Sequence, residues 1–203
     1  MTLTGPDQRT VQIYNRDALA GRMHDPVWAD PFSRGAFGSL PQNHLVVDVG
    51  CGYGRMVDIL DDLGIERYLG VDPAEEQINL ARRLHADSPL RTFEVGNIYE
   101  LGEKYPGRFD GFMLMAVLMH IPAPRLEEAF RSLRKALKVP GTGMFSTPFS
   151  TDREEGEVVE VEPGFFLTLH NPDTIRDILL RSGFSTGHPL RSGNMLLGSI
   201  ETC

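Results

Sequence analysis

Cysteine is nearly absent: Cys51 and Cys203 are the two present, too few for a disulfide framework and without the paired spacing of a metal site. A reducing cytoplasm is the expected compartment. Long apolar runs are missing too. The longest, FMLMAVLM at 112–119, falls far short of the roughly 18 to 20 residues that span a bilayer, and the N-terminal MTLTGPDQRT lacks the apolar centre of a signal peptide. No membrane partner is expected. Positive charge is in deficit, with 20 Lys and Arg against 28 Asp and Glu and a formal net charge of -8. Such a surface repels a phosphate backbone unless a basic stripe overrides it. The clustered basics are Arg82 with Arg83, and Arg131, Arg134, Lys135 and Lys138. Both groups lie on patterns with apolar partners three and four residues away, as solvated helix faces do. Nucleic acid is not an expected partner.

What is present is enough apolar material for a single core. A chain of 203 residues with 41% hydrophobic content is long enough for one domain and short for two, so 1–203 is expected to fold as one unit. NHLVVDVG at 43–50 reads as a short buried strand ending at glycine, and YGRMVDILDDLGI continues with helical spacing through Met56, Ile59, Leu60 and Leu63. ERYLGVD at 66–72 is a second strand ending in an acid, followed by Pro73 and the helical AEEQINLARRLHA. FEVGNI, FDGFMLMAV and GMFSTPF are further strands, with the helix RLEEAFRSLRKAL between the last two. Alternation of this kind implies an α/β fold: a doubly wound, mostly parallel sheet with helices on both faces.

The flanks differ. EVVEVEPGFFLTLH at 157–170 reads as a hairpin around Pro163-Gly164, then comes the helix PDTIRDILLRSGF stopped by Gly183, and FSTGHPL and GNMLLGSIE offer closing strands. Upstream lie the helical VQIYNRDALAGRM and a Pro/Gly-rich connector from Asp25 to Pro41. The expected layout is an N-terminal lid and connector at 1–42, a ligand-binding core at 43–149, and hairpin, last helix and closing strands at 150–203.

The turn after the first strand reads VVDVGCGYGR, with Gly50, Gly52 and Gly54 at every second position. Glycines let a ligand approach the backbone at the end of a strand. Asp72 ends the second strand 22 residues beyond Gly50, about where nucleotide-binding sheets place the carboxylate that takes a ribose diol. A dinucleotide fingerprint puts a third glycine at position 55, where this chain has Arg55.

With Asp48 ahead of the turn, DVGCGYG resembles the first motif of the class I S-adenosylmethionine-dependent methyltransferases. GVD at 70–72 resembles their acidic second motif, GNI at 96–98 the third-strand motif, and FDGFMLMAVLMHIP at 109–122 the fourth-strand segment. LRKALKVPGTGMF at 133–145 is similar to the helix and strand that follow. The resemblance implies a seven-stranded sheet with its last strand antiparallel and S-adenosylmethionine as cofactor. It places Asp48, Gly50, Cys51, Gly52 and Gly54 at the cofactor, Asp72 on the ribose hydroxyls, Asn97 at the adenine edge, Ile98 against the base, and Met115 and Ala116 beside them. Asn97 stands where the family more often has Asp; an amide still offers a carbonyl oxygen.

Methyl transfer from a sulfonium is an in-line displacement that gains most from positioning, and a general base helps where the acceptor is a weak acid. The candidates are His120 after the fourth strand, His170 at the end of the hairpin arm, and Tyr14 in the N-terminal helix. Each has a plainer alternative: His120 fills the strand end, His170 caps the last helix, Tyr14 packs. No Asn/Asp-Pro-Pro-Tyr/Phe element follows the fourth strand, where Met115-Ala116-Val117-Leu118 stands, and neither cysteine sits in a nucleophile motif. A small-molecule acceptor is expected between the N-terminal helix and the hairpin, where Phe165 and Phe166 are candidate walls. The acidic string Asp152 to Glu162 is read as a solvated face. Two other functions stay open: a non-catalytic S-adenosylmethionine-binding protein with the same fold, and a nicotinamide-dependent oxidoreductase. Arg55 and the lack of a Tyr-x-x-x-Lys constellation count against the second.

Overall fold

The structure, a computed structural model, describes residues 5–22, 43–149, 154–163, 165–186, 190–192 and 195–202; the connector from Asp25 to Pro41 and the start of the acidic string lie outside them. Strands β1 (Leu45–Val49), β2 (Arg67–Asp72), β3 (Arg91–Val95), β4 (Phe109–Met115) and β5 (Leu137–Pro148) are parallel neighbours in the order 3-2-1-4-5. The expected run of alternating strands and helices is therefore one sheet.

Alternation along each strand explains the two layers of core. Val46 of β1 and Met113 and Met115 of β4 face one side, where Tyr68 and Phe93 meet helices α2 (Val57–Asp62) and α3 (Glu75–Leu84) through Val57, Leu60, Ile78 and Ala81. Val47 and Val49 of β1 and Phe112 and Leu114 of β4 face the other, against α5 (Leu126–Ala136) and α6 (Pro172–Arg181) through Phe130, Leu133, Ile175 and Leu179. Strands covered on both faces need apolar residues at every position, which is why LVVDV and FMLM are nearly continuous. Each fully buried Phe or Leu contributes about 1.5–3 kcal/mol relative to exposure. The short helix α4 (Leu101–Lys104) packs beside α5.

The last strand reverses direction as expected. β10 (Met195–Thr202) lies antiparallel to β5, and its other edge takes β9 (Leu190–Ser192) and β8 (Phe184–Thr186) in succession. The sheet is seven strands wide, and β9 is a three-residue addition to the expected set. The hairpin forms as β6 (Glu157–Glu162) and β7 (Phe165–Leu169), a separate two-stranded sheet. The N-terminal helix α1 (Gly5–Leu19) packs on α3 and β7. It therefore crosses the carboxyl ends of β1 and β2, the crevice where open α/β sheets bind ligands. Among the described residues, no helix is long and apolar enough to cross a membrane.

One local expectation is corrected. Helical spacing begins at Tyr53, yet α2 starts at Val57. Positive φ at Gly50, Gly52 and Gly54 holds the chain out of the right-handed helical region until the turn is complete. The helix N-terminus is set back from the glycine turn.

Candidate active site

The turn after β1 is tied to the end of β2 by Gly50 N and Cys51 N, which both donate to Val71 O at 2.7 and 3.3 Å. Gly50 has φ +74°, and a Cβ there would stand 2.5 Å from Val117 Cγ2. Glycine is required on both counts. Asp72 completes the tie: Gly52 N donates to its Oδ2 at 2.9 Å and Ala74 N to its Oδ1 at 2.8 Å. Each carboxylate oxygen keeps acceptor capacity after one such bond. Burial raises the Asp72 pKa, opposed by the Ala74 and Gly52 amides and by the positive charge of Arg55.

Gly50, Gly52, Asp72 and Ala74 line a cavity of about 530 Å³ together with Arg55, Gln77, Ala116 and Val117. A smaller annex of about 90 Å³ shares Gly50, Pro73, Val117 and His120 with it and adds Asn97, Ile98 and Tyr99. Asn97 Oδ1 accepts from Tyr99 N at 3.0 Å, a local turn that fixes the side chain.

The opposite wall is built by the end of β4 and by α1. Ala116 adopts φ 58°, a left-handed conformation that costs an L-residue about 1–2 kcal/mol. Its N–H donates to Ser146 O and Oγ at 3.1 and 2.9 Å, which holds it there. The 3₁₀ turn Leu118–His120 follows and brings His120 into the cavity, where its Nε2 lies 3.0 Å from Tyr14 Oη. Phe165 of β7 meets both rings, at centroid distances of 6.0 and 5.7 Å. Burial, with smaller contributions from Asp72 and Asp17 and opposition from Arg55, pushes the Tyr14 phenol up to about 12. It stays protonated through the physiological range. Two further bonds seat α1 on α3: Glu76 N donates to Asn15 Oδ1 and Gln77 Nε2 to Tyr14 O, each at 2.9 Å.

Gly50, Gly52, Asp72, Ala116, Tyr14 and His120 thus share the main cavity, and Asn97 and Ile98 line its annex. Other candidates stand elsewhere. Asp48 is buried beneath the turn, where Tyr68 Oη donates to its Oδ2 at 2.8 Å, and burial pushes its pKa up to about 6. The buried Cys51 thiol donates to Gly52 O at 3.4 Å, its pKa raised chiefly by burial. A Cβ on Gly54 would stand 2.8 Å from His85 Nε2 and 2.9 Å from Phe93 Cε1, so this glycine admits close packing of α3 and β3. The Met115 side chain lies in the core, while its carbonyl accepts from Arg55 Nη2 at 2.6 Å.

His170 is outside the cavity as well. It is fully buried, its Nε2 sits 3.0 Å from Leu118 O and 3.1 Å from Ile121 O, and its Nδ1 sits 3.0 Å from Glu155 Oε1. Both ring nitrogens face oxygen acceptors, so the ring clamps the turn after β4 to the end of the hairpin. Helix capping belongs to its neighbour: Asn171 Oδ1 accepts from Asp173 N at 2.9 Å. Phe165 lines the main cavity, whereas Phe166 lies under the Arg9 guanidinium at 5.6 Å. Arg55 and Gln77 line the cavity without having been singled out from the sequence as ligand-facing residues. The one signal for Gln77 is an amide at an apolar-stripe position of α3, four residues before the buried Ala81.

Residues 46–141 match a family model described as a methyltransferase domain. Over 103 residues the chain is 32% identical to a ubiquinone biosynthesis O-methyltransferase from Xanthomonas campestris pv. campestris (strain B100), a match to 50% of this chain and 42% of the relative. The chain thus spans less than half the length of the curated relatives it matches. Among solved structures, geranyl diphosphate C-methyltransferase from Streptomyces coelicolor A3(2) aligns over 100% of both chains with a TM-score of 0.82 at 14% identity. Burkholderia thailandensis 1,6-didemethyltoxoflavin-N1-methyltransferase aligns over 100% of this chain and 92% of its own, with a TM-score of 0.75 at 18% identity. Residues 46–141 are thus a match to the methyltransferase domain, and the glycine turn, the acid closing β2 and the reversed last strand around them build the fold that the class I S-adenosylmethionine-dependent methyltransferases share.

Proposed function

We propose that the chain transfers a methyl group from S-adenosylmethionine to a small, largely apolar acceptor held beneath α1. The observation that carries this reading is a single cavity with two unlike walls: Gly50, Gly52 and Asp72 on one side, and the Tyr14–His120 pair beside Phe165 on the other. The first wall fits the donor. Asp72 retains acceptor capacity on both oxygens for a ribose diol, the bare Gly50 backbone admits close approach, and the Arg55 guanidinium offers charge to a carboxylate. Asn97 and Ile98 in the annex fit an adenine edge and face.

S-adenosylmethionine supplies an electrophilic methyl group on a sulfonium. The chain's own residues bind, orient and exclude water. Orientation alone can lower a displacement barrier by about 7–11 kcal/mol. Val11, Ile13, Val117, Met119 and Phe165 give the second wall its apolar character. The His120 imidazole, beside the Tyr14 phenol, serves as the base for a proton leaving an acceptor O–H or N–H. Small-molecule acceptors are named for the Streptomyces and Burkholderia enzymes of this fold, which agrees with the absence of an Asn-Pro-Pro-Tyr element here.

Incubation of the protein with methyl-labelled donor and fractionated metabolite extracts tests the reading. Label should enter a low-molecular-mass product, and thermal shift should show stabilisation by S-adenosylhomocysteine and none by NAD. Stabilisation by NAD alone would overturn it, and cofactor binding without any labelled product would favour the non-catalytic alternative.

A further inference from the structure

Gln77 is a polar residue in a place that does not tolerate unpaired polarity. It is 4% exposed and lines the main cavity, on the first turn of α3 and five residues past Asp72. Its amide has two ends with opposite fates. Nε2 donates to the backbone carbonyl of Tyr14 at 2.9 Å, which fixes the amide orientation, since a carbonyl partner demands the N–H₂ end. Oε1 is buried and has no hydrogen-bond partner among the described residues. It lies on the glycine-turn side, 3.6 Å from where a Cβ on Gly52 would stand. A buried acceptor left without a donor costs about 1–3 kcal/mol, so the site is built to receive one.

We propose that Gln77 is a ligand-binding residue that couples donor occupancy to the seating of α1: Oε1 accepts a hydrogen bond from the bound methyl donor while Nε2 holds Tyr14. The inference rests on S-adenosylmethionine as the donor. Two of its groups carry the required N–H or O–H near the glycine turn and Asp72, the α-ammonium and the ribose hydroxyls. Either satisfies Oε1 and pins the amide. A pinned amide presents Nε2 to Tyr14 O with less entropy left to lose, so the donor and α1 stabilise one another reciprocally. Because Tyr14 Oη also reaches His120, one residue of α1 is held at its backbone by the donor side and at its phenol by the acceptor side. The lid is then held more firmly over a filled donor site.

The test combines calorimetric affinities for S-adenosylhomocysteine and 5′-methylthioadenosine with hydrogen exchange of residues 5–19, in wild type, Gln77→Leu and Gln77→Glu. In the wild type, S-adenosylhomocysteine should slow exchange in 5–19. Gln77→Leu should bind it at least about fivefold more weakly and show no such protection. If methylthioadenosine weakens in parallel the partner is the ribose, and if it is unaffected the partner is the ammonium, which methylthioadenosine lacks. Gln77→Glu keeps an acceptor oxygen toward the ligand and loses the donor to Tyr14 O. Its affinity should fall no further than the factor by which the donor slows exchange of 5–19 in the wild type, while that protection disappears, a result that stands even where the leucine variant fails to fold. Wild-type affinity with intact lid protection in the variants overturns this inference alone, because the donor reading survives it. A wild type that binds neither nucleoside removes both.

Discussion

Tyr14 Oη stands 3.0 Å from His120 Nε2, a hydrogen bond joining residues 106 positions apart in the chain. It runs between α1 and the end of β4; burial keeps the phenol protonated, its pKa pushed up to about 12, and the His120 tautomer sets which partner donates. If the imidazole receives the acceptor's proton, His120→Ala should lower kcat by about 10²- to 10⁴-fold while affinity for S-adenosylhomocysteine stays near wild type. Tyr14→Phe keeps the ring against Phe165 and loses one neutral hydrogen bond, so its effect should be about 2- to 10-fold. Unchanged turnover in both variants would leave positioning as the whole mechanism, as suits an already nucleophilic amine or thiolate.

Asp72 holds the turn, and the proposed function assigns it the ribose diol of the ligand. Asp72→Ala should weaken S-adenosylmethionine and S-adenosylhomocysteine alike, by at least about tenfold, since hydrogen bonds to a charged group contribute about 1.5–3 kcal/mol each. The variant also releases Gly52 N and Ala74 N, so the unfolding midpoint should be measured beside the affinities. A dissociation constant within about threefold of wild type refutes the ribose assignment.

The parts of this site that were legible in the sequence are those where one residue type answers a backbone demand. Gly50 must be glycine because of its φ and because of Val117, and Asp72 must end its strand in register with the turn, so both leave a spacing that can be read. Strand and helix patterns were legible for a similar reason, since burial on two faces dictates the apolar letters of LVVDV. The two histidines were not separable. Each follows a strand, and only the three-dimensional path puts His170 between the carbonyls of Leu118 and Ile121 and His120 against Tyr14. Gln77 and Arg55 left no motif because their partners come from α1 and β4, distant segments whose approach a linear pattern does not encode. Asp48 illustrates the converse. It belongs to the recognised motif, yet its carboxylate serves Tyr68 beneath the turn.

Asp48 gives the protein a distinctive pH dependence. Its carboxyl has a pKa of about 6 in the folded chain against an ordinary 3.8, because burial outweighs the Tyr68 hydrogen bond and the Arg55 charge. The folded state therefore binds more protons than the unfolded state between about pH 4 and 6, and stability falls as pH rises through that window. The protonated form's advantage is fully present below about pH 4 and lost above about 6. Asp48→Asn retains an acceptor for Tyr68 and carries no charge. Relative to wild type it should gain on the order of 2–3 kcal/mol between pH 4 and 7, read from urea unfolding at each pH. A constant difference between the two proteins across that range would show that Asp48 does not titrate there.

His170 is expected to act through structure. His170→Ala removes a fully buried ring and leaves the carbonyls of Leu118 and Ile121 without that donor. A loss of about 2–4 kcal/mol in unfolding free energy follows from the cavity and the unmet acceptors together. Turnover should fall only as far as the turn bearing His120 loosens. A variant with wild-type stability and turnover lowered 10³-fold would return His170 to the chemistry.

The last expectation separates α1 from the core. Among the described residues, α1 contributes none to either hydrophobic cluster, and the one apolar side chain it buries is the small Ala18, 7% exposed. Its links to the body are directional: Asn15 to Glu76, Tyr14 to Gln77 and to His120. Such bonds each contribute about 0.5–1.5 kcal/mol to stability, small beside a core of buried Phe, Leu and Ile. Removing residues 1–22 should therefore shift the urea midpoint only slightly and leave the circular dichroism of the sheet intact. Turnover should suffer far more, by at least about 10²-fold. The truncation takes away Tyr14, opens the acceptor wall to water and abolishes the alignment that closure supplies. S-adenosylhomocysteine affinity should fall less than turnover, because Asp72, Gly52 and Asn97 remain in place. A truncated protein that folds and retains full turnover would show that α1 is not the lid.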